Sequence, residues 1–101
     1  MNIQGDTIVF KSYRGNYEVE ESGRKNCTVR MIPPNEWDAV MEFGYDLAGE
    51  AQTSNSQKKI MIVCADNQMR YFTRELTYVE IIGDVLYNKL VLFCWKSEGE
   101  Y

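Results

Sequence analysis

The residues best able to do chemistry sit together in Ser22-Gly23-Arg24-Lys25-Asn26-Cys27-Thr28-Val29-Arg30, directly ahead of an alternating, strand-like run. The stretch joins a glycine, three cations and the Thr28 hydroxyl. Gly23 is the natural place for a positive φ angle, so the chain is expected to break and turn there. Beyond the turn, strand alternation puts Cys27, Val29 and Met31 on one face and Thr28 and Arg30 on the other. Lys25, in the loop, can swing toward the face of Thr28 and Arg30. A lysine, an arginine and a hydroxyl meeting on a small concave spot suit a phosphate, a carboxylate or a nucleobase edge. Gly23, Arg24, Lys25, Thr28 and Arg30 are therefore the candidate ligand-binding set.

The spacing Gly-x-Lys-x-x-Thr-x-Arg, carried by Gly23, Lys25, Thr28 and Arg30, resembles the signature of the ASCH domains. These are small β-barrels of the PUA-like superfamily, associated with RNA and modified nucleosides. The closing strand into Trp95 is similar to the ending of short phage and prophage proteins of unassigned function. The resemblance implies a binding module that holds an RNA segment or a modified nucleoside in a cleft beside the signature. Lys25 and Arg30 would meet phosphate or base acceptors, and Thr28 would hydrogen-bond the base. Tyr13, Tyr17, Tyr71 and Trp95 are stacking candidates, although such rings are more often core.

The same resemblance leaves an enzyme open as the alternative. A small bacterial ASCH-like enzyme removes an acyl group from the exocyclic amine of an acylated cytidine. Its lysine and threonine fall on Lys25 and Thr28, with Thr28 as nucleophile and Lys25 assisting. That enzyme also uses a glutamate from a late helix, and no such helix is read here. Glu75 and Glu80 are the late carboxylates, neither in a matching context. A third reading is an accessory protein that binds a host protein through an acidic face.

Composition bounds these readings. A chain of 101 residues is expected to be one domain over 1–101, with a modest core. Eleven cations against fifteen carboxylates give a net charge of −4. General duplex DNA binding needs a cationic excess, so only a local basic pocket is compatible. The chain has no histidine, which removes Ser-His-Asp and Cys-His catalysis and His-ligated metals. No cofactor or metal motif is read. The three cysteines, Cys27, Cys64 and Cys94, lie far apart in apolar contexts and are read as buried, reduced thiols. Neither a signal peptide nor a membrane span is read, so the cytoplasm is the expected location.

The positioning elements follow from pattern. Residues 6–11 read as a first strand, and Tyr13 to Ser22 as a short helix ending at Gly23. Thr28–Ile32 is the strand after the signature. Asn35 to about Ala48 has the clearest helical spacing, with Gly44 as a place to stop or bend. Residues 49–57 read as a polar loop. Residues 58–64 form an apolar strand with a tight turn at Asp66-Asn67, and residues 70–82 a long strand with a bulge near Arg74 and Glu75. A turn at Gly83-Asp84 leads into the strand at 90–95, and 96–101 is a tail. Together these predict a mainly β (α+β) fold, a small PUA-like β-barrel of five to six strands with one or two capping helices. Its core is expected to hold Ile8, Phe10, Val29, Ile60, Ile62, Val79, Leu92 and Cys94.

Overall fold

The computed structural model describes residues 1–52 and 58–96. Six strands and two helices follow in order: β1 (Asn2–Gln4), β2 (Thr7–Ser12), α1 (Arg14–Glu21), β3 (Cys27–Ile32), α2 (Trp37–Gln52), β4 (Lys59–Cys64), β5 (Tyr71–Val85) and β6 (Asn88–Trp95). A single 3-10 turn, Pro34–Glu36, leads into α2. The strands form one mixed sheet in the order β1-β2-β4-β5-β6-β3. Among the described residues only β2 and β4 run parallel, in register Ile8 with Ile60 and Phe10 with Ile62.

The mainly β, α+β class is as expected; the closed barrel is not. β1 and β3 are end strands, each paired on one side only, with β2 and β6 respectively. Strand number alone does not dictate closure, which requires a ladder between the two ends. The sheet nevertheless curls. β5 pairs with β4 through Tyr71–Glu75 and with β6 through Leu76–Val85, with register shifts at Leu76/Tyr78 and Ile81/Gly83. Bulges of this kind bend a strand and sharpen its twist. The bend brings Phe93 of β6 onto Phe10 of β2, ring centroids 4.9 Å apart. The Arg30 side chain of β3 reaches across to the end of β2, Nη1 donating to the Lys11 carbonyl at 2.7 Å.

Ile8, Ile60, Ile62, Val91 and Phe93 form the centre of the core, and Phe10 is buried with them. Val29 is a correction. It is 48% exposed, whereas Thr28 on the opposite face is buried. β3 alternates as expected but with the opposite face inward, because alternation fixes parity and not which parity faces the core. Leu92 and Cys94 are half-buried, and Val79 packs against the core margin.

α2 continues through Gly44 to Gln52 instead of stopping, so part of the expected 49–57 loop is helical. The rest of that loop, 53–57, and tail residues 97–101 lie outside the described residues. A Cβ at Gly44 would stand 3.4 Å from Val79, so the glycine lets α2 approach β5 closely. The turn expected at Gly83-Asp84 falls inside β5; the chain reverses later, where Leu86 takes a φ of 57°.

The cysteines are a second correction. Cys27 and Cys94 face each other at one register position of β3 and β6 and form a disulfide. Their 67-residue separation hides what the sheet brings together. Cys64 is free and buried, as expected. Among the described residues no helix is long and apolar enough to cross a membrane.

Candidate ligand site

The site begins with α1. Tyr17 and Glu20, three apart on this helix, share its inward face and are both fully buried. Ser22 ends the helix and Gly23 follows with φ +86°, the conformation expected of it. The Gly23 amide donates to Glu20 O and the Lys25 amide to Val19 O, both at 3.3 Å. The reversal therefore folds Lys25 back over its own helix.

A second set of contacts fixes α1 to the sheet. Tyr17 Oη donates to Glu21 Oε2 at 2.8 Å, and Arg70 Nη2 donates to Glu21 Oε1 at 2.5 Å. Arg74 reaches the Glu21 carbonyl at 3.2 Å. Burial, then the hydrogen bond to Glu21, pushes the Tyr17 hydroxyl up to about 12. The Arg70 hydrogen bond, then that from Tyr17, holds the Glu21 carboxyl below its ordinary range.

With α1 so fixed, Glu20 projects between the end of β2 and the start of β3. Ser12 Oγ donates to Glu20 Oε1 at 2.7 Å, and Arg30 Nη2 donates to Ser12 Oγ at 2.6 Å. Arg30 Nε donates to Thr28 Oγ1 at 3.1 Å. Glu20 Oε2 lies 3.7 Å from Lys25 Nζ and 3.9 Å from Arg30 Nη2, and no hydrogen bond reaches it. Lys25 Nζ donates instead to Asn16 Oδ1 at 3.0 Å. Burial pulls the Arg30 guanidinium down from its ordinary range, and the Glu20 charge opposes that pull.

A surface depression of about 600 Å³ opens over this cluster, lined among others by Asn16, Arg24, Lys25, Thr28 and Arg30. The signature residues Lys25, Thr28 and Arg30 are thus brought to one spot, and exposed Arg24 borders it. Gly23 contributes backbone shape only. Three cations and one buried carboxylate leave the hollow positive in a chain of net charge −4.

The aromatic candidates are not brought there. Tyr17 and Trp95 are buried in the core, and Tyr13 and Tyr71 are exposed without lining the depression. The late carboxylates Glu75 and Glu80 are both exposed on β5, and the carboxylate that meets Lys25 is Glu20, on the helix before the signature. From sequence, Glu18, Glu20 and Glu21 look alike as a solvated helix face, and only the three-residue spacing of Glu20 from Tyr17 hints that Glu20 is the buried one. Ser12 and Asn16 carried no clue. Among the described residues no group of three or more His, Cys, Asp or Glu could hold a metal.

No protein-family model matches the chain. No curated protein and no solved structure matches it either.

Proposed function

We propose that the chain is a small binding module that holds an RNA segment or a modified nucleoside in the depression beside β3. The observation that carries this reading is the convergence of Arg24, Lys25 and Arg30 on one hollow of an otherwise acidic chain. A local cationic pocket attracts phosphate or base acceptors, while the acidic remainder disfavours sequence-independent grip on a duplex. Thr28 lies in the wall of the depression, and wholly buried Glu20 beneath it holds Lys25 and Arg30 by charge. Mass spectrometry of the denatured, purified protein for a retained nucleotide tests the reading, followed by titration with nucleosides and short single-stranded RNA. Saturable binding is the expected outcome; a flat titration across that set removes it.

Amide hydrolysis of an acylated cytidine is the second reading, favoured by one observation: a buried carboxylate oxygen, free of hydrogen bonds, 3.7 Å from Lys25. Thr28 would be the nucleophile, with Lys25 assisting. In this arrangement Lys25 is bonded to Asn16, and the Thr28 hydroxyl is engaged by Arg30. That disposition favours holding over turnover. Release of cytidine from an acylated cytidine, absent in Thr28→Val, would reverse the order of the two readings.

A further inference from the structure

Cys27 stands inside the segment that lines the depression, between Lys25 and Thr28, and its partner across the ladder is Cys94. The two form a disulfide, and both side chains are half-exposed on the face of the sheet opposite buried Thr28. The bond lies at the first rung of the β3–β6 ladder. Behind that rung, Asn26 is held to β6 by a single backbone bond from the Trp95 amide at 2.9 Å. Lys25 is tied only to α1, through Val19 O, Asn16 and Glu20. Ladder ends open before ladder centres. A crosslink at this rung therefore controls how firmly the segment carrying Lys25 and Thr28 is held.

We propose that Cys27 and Cys94 form a reversible thiol–disulfide switch built into the wall of the candidate site. Oxidation pins the start of β3 to β6 and holds Lys25 and Thr28 in place for a ligand; reduction releases them. The regulatory consequence rests on the depression being the ligand site. The oxidant is a low-molecular-weight disulfide such as glutathione disulfide. One cysteine thiolate attacks a sulfur of it, breaking that S–S bond and releasing one glutathione thiolate. The second cysteine thiolate then attacks the protein sulfur of the mixed disulfide and expels the other glutathione. Two electrons pass from the cysteine pair to the glutathione disulfide, and the two thiol protons end on the two glutathiones. Cys64, 3% exposed and unpaired, takes no part and serves as an internal reference.

The test uses the full chain equilibrated in glutathione buffers of graded oxidation. Alkylation and intact mass should show two thiols appearing together as the buffer becomes reducing, whereas Cys94→Ser should show one, that of Cys27, as a free thiol or a glutathione adduct and never as an internal crosslink. The backbone amide resonances of Gly23 to Arg30 should shift between the two states. Affinity for cytidine or a short single-stranded RNA should be about tenfold higher in the oxidised state, within the usual range of coupling between sites. Cys94→Ser, at a position outside the lining of the depression, should bind with the reduced-state affinity in reducing buffer and show no tenfold gain in oxidising buffer. A pair that never closes or never opens across the buffers overturns the switch, and so do amide resonances that ignore the redox state. If the amides switch but no nucleoside or RNA binds in either state, the ligand reading fails and the switch stands. If ligand binds equally in both states, the regulatory consequence fails and the ligand reading stands.

Discussion

Glu20 and Glu21 leave the same helix one residue apart, about 100° round its axis, and reach opposite kinds of surroundings. Glu21 is half-buried and fully engaged, with Tyr17 on one oxygen and Arg70 on the other. Glu20 is wholly buried, accepts from Ser12 on one oxygen, and leaves the other facing Lys25 and Arg30 without a hydrogen bond. A carboxylate that only fastens a helix to a sheet uses its acceptors. A buried one that keeps a free acceptor between two cations retains capacity for exchange, at a cost in stability. The first cluster is a clamp; the second has the makings of a site.

The strongest way to break this contrast is Arg30→Ala. The substitution removes the donor to Lys11 O, Ser12 and Thr28 and takes one of the two cations from the buried Glu20. Removing one member of a buried ion pair typically costs about 3–5 kcal/mol, and urea denaturation should show a loss of that size. A loss below about 1 kcal/mol, the worth of a surface pair, would mean that Arg30 does not hold β3 to β2.

The clamp should respond less, and with a distinct pH signature. Tyr17→Phe keeps the ring and deletes one hydrogen bond, for an expected loss of about 0.5–1.5 kcal/mol. In the unfolded chain tyrosine ionises near its ordinary value of 10.0, while folded Tyr17 holds its proton up to about 12. Its contribution is therefore complete below 10.0 and is lost as pH rises toward 12. The difference in melting temperature between wild type and Tyr17→Phe should shrink over that window. For Glu21 the sign is opposite: its carboxyl is held low, so its contribution is complete above the ordinary 4.5 and fades as pH falls below it. A wild-type-minus-variant difference that stays flat through the alkaline window would show that the Tyr17 hydroxyl is no part of the clamp.

Much of this architecture could be read from sequence, and the failures have physical reasons. Alternation and turn chemistry identified β2 through β6, and a glycine at the end of a short helix gave the reversal at Gly23. The inward face of β3 was reversed because what selects it is Arg30 reaching Ser12 and the Lys11 carbonyl, contacts that come only with the curl of the sheet. Pairing of Cys27 with Cys94 depends on the β3–β6 register, which cysteine spacing does not contain. Gly83-Asp84 offered turn chemistry that β5 absorbs as a bulge, while non-glycine Leu86 takes the positive φ. In the site, Lys25, Thr28 and Arg30 were legible as a spacing. Glu20 was not, since a carboxylate in the run Glu18–Glu21 looks like a solvated helix face until Tyr17 fixes which side is buried.

The smallest expected effect on stability sharpens the contrast most. The Lys25 side chain is 39% exposed and among the described residues hydrogen-bonds only Asn16, and its loss leaves Arg30 and Ser12 on Glu20. Lys25→Ala should therefore change stability by about 1 kcal/mol or less, as surface pairs do. Its effect on ligand should be far larger, because a cation at a small polar hollow dominates the attraction of phosphate or a base acceptor. Near-complete loss of nucleoside or RNA affinity at an almost unchanged melting temperature is the expected result, read by calorimetric titration beside thermal denaturation. Arg70→Ala is the matched control: it removes a cation from the clamp at Glu21, outside the lining of the depression, and should leave affinity intact. Equal losses of affinity in the two variants would mean that binding follows the overall charge of the chain and not the hollow beside β3.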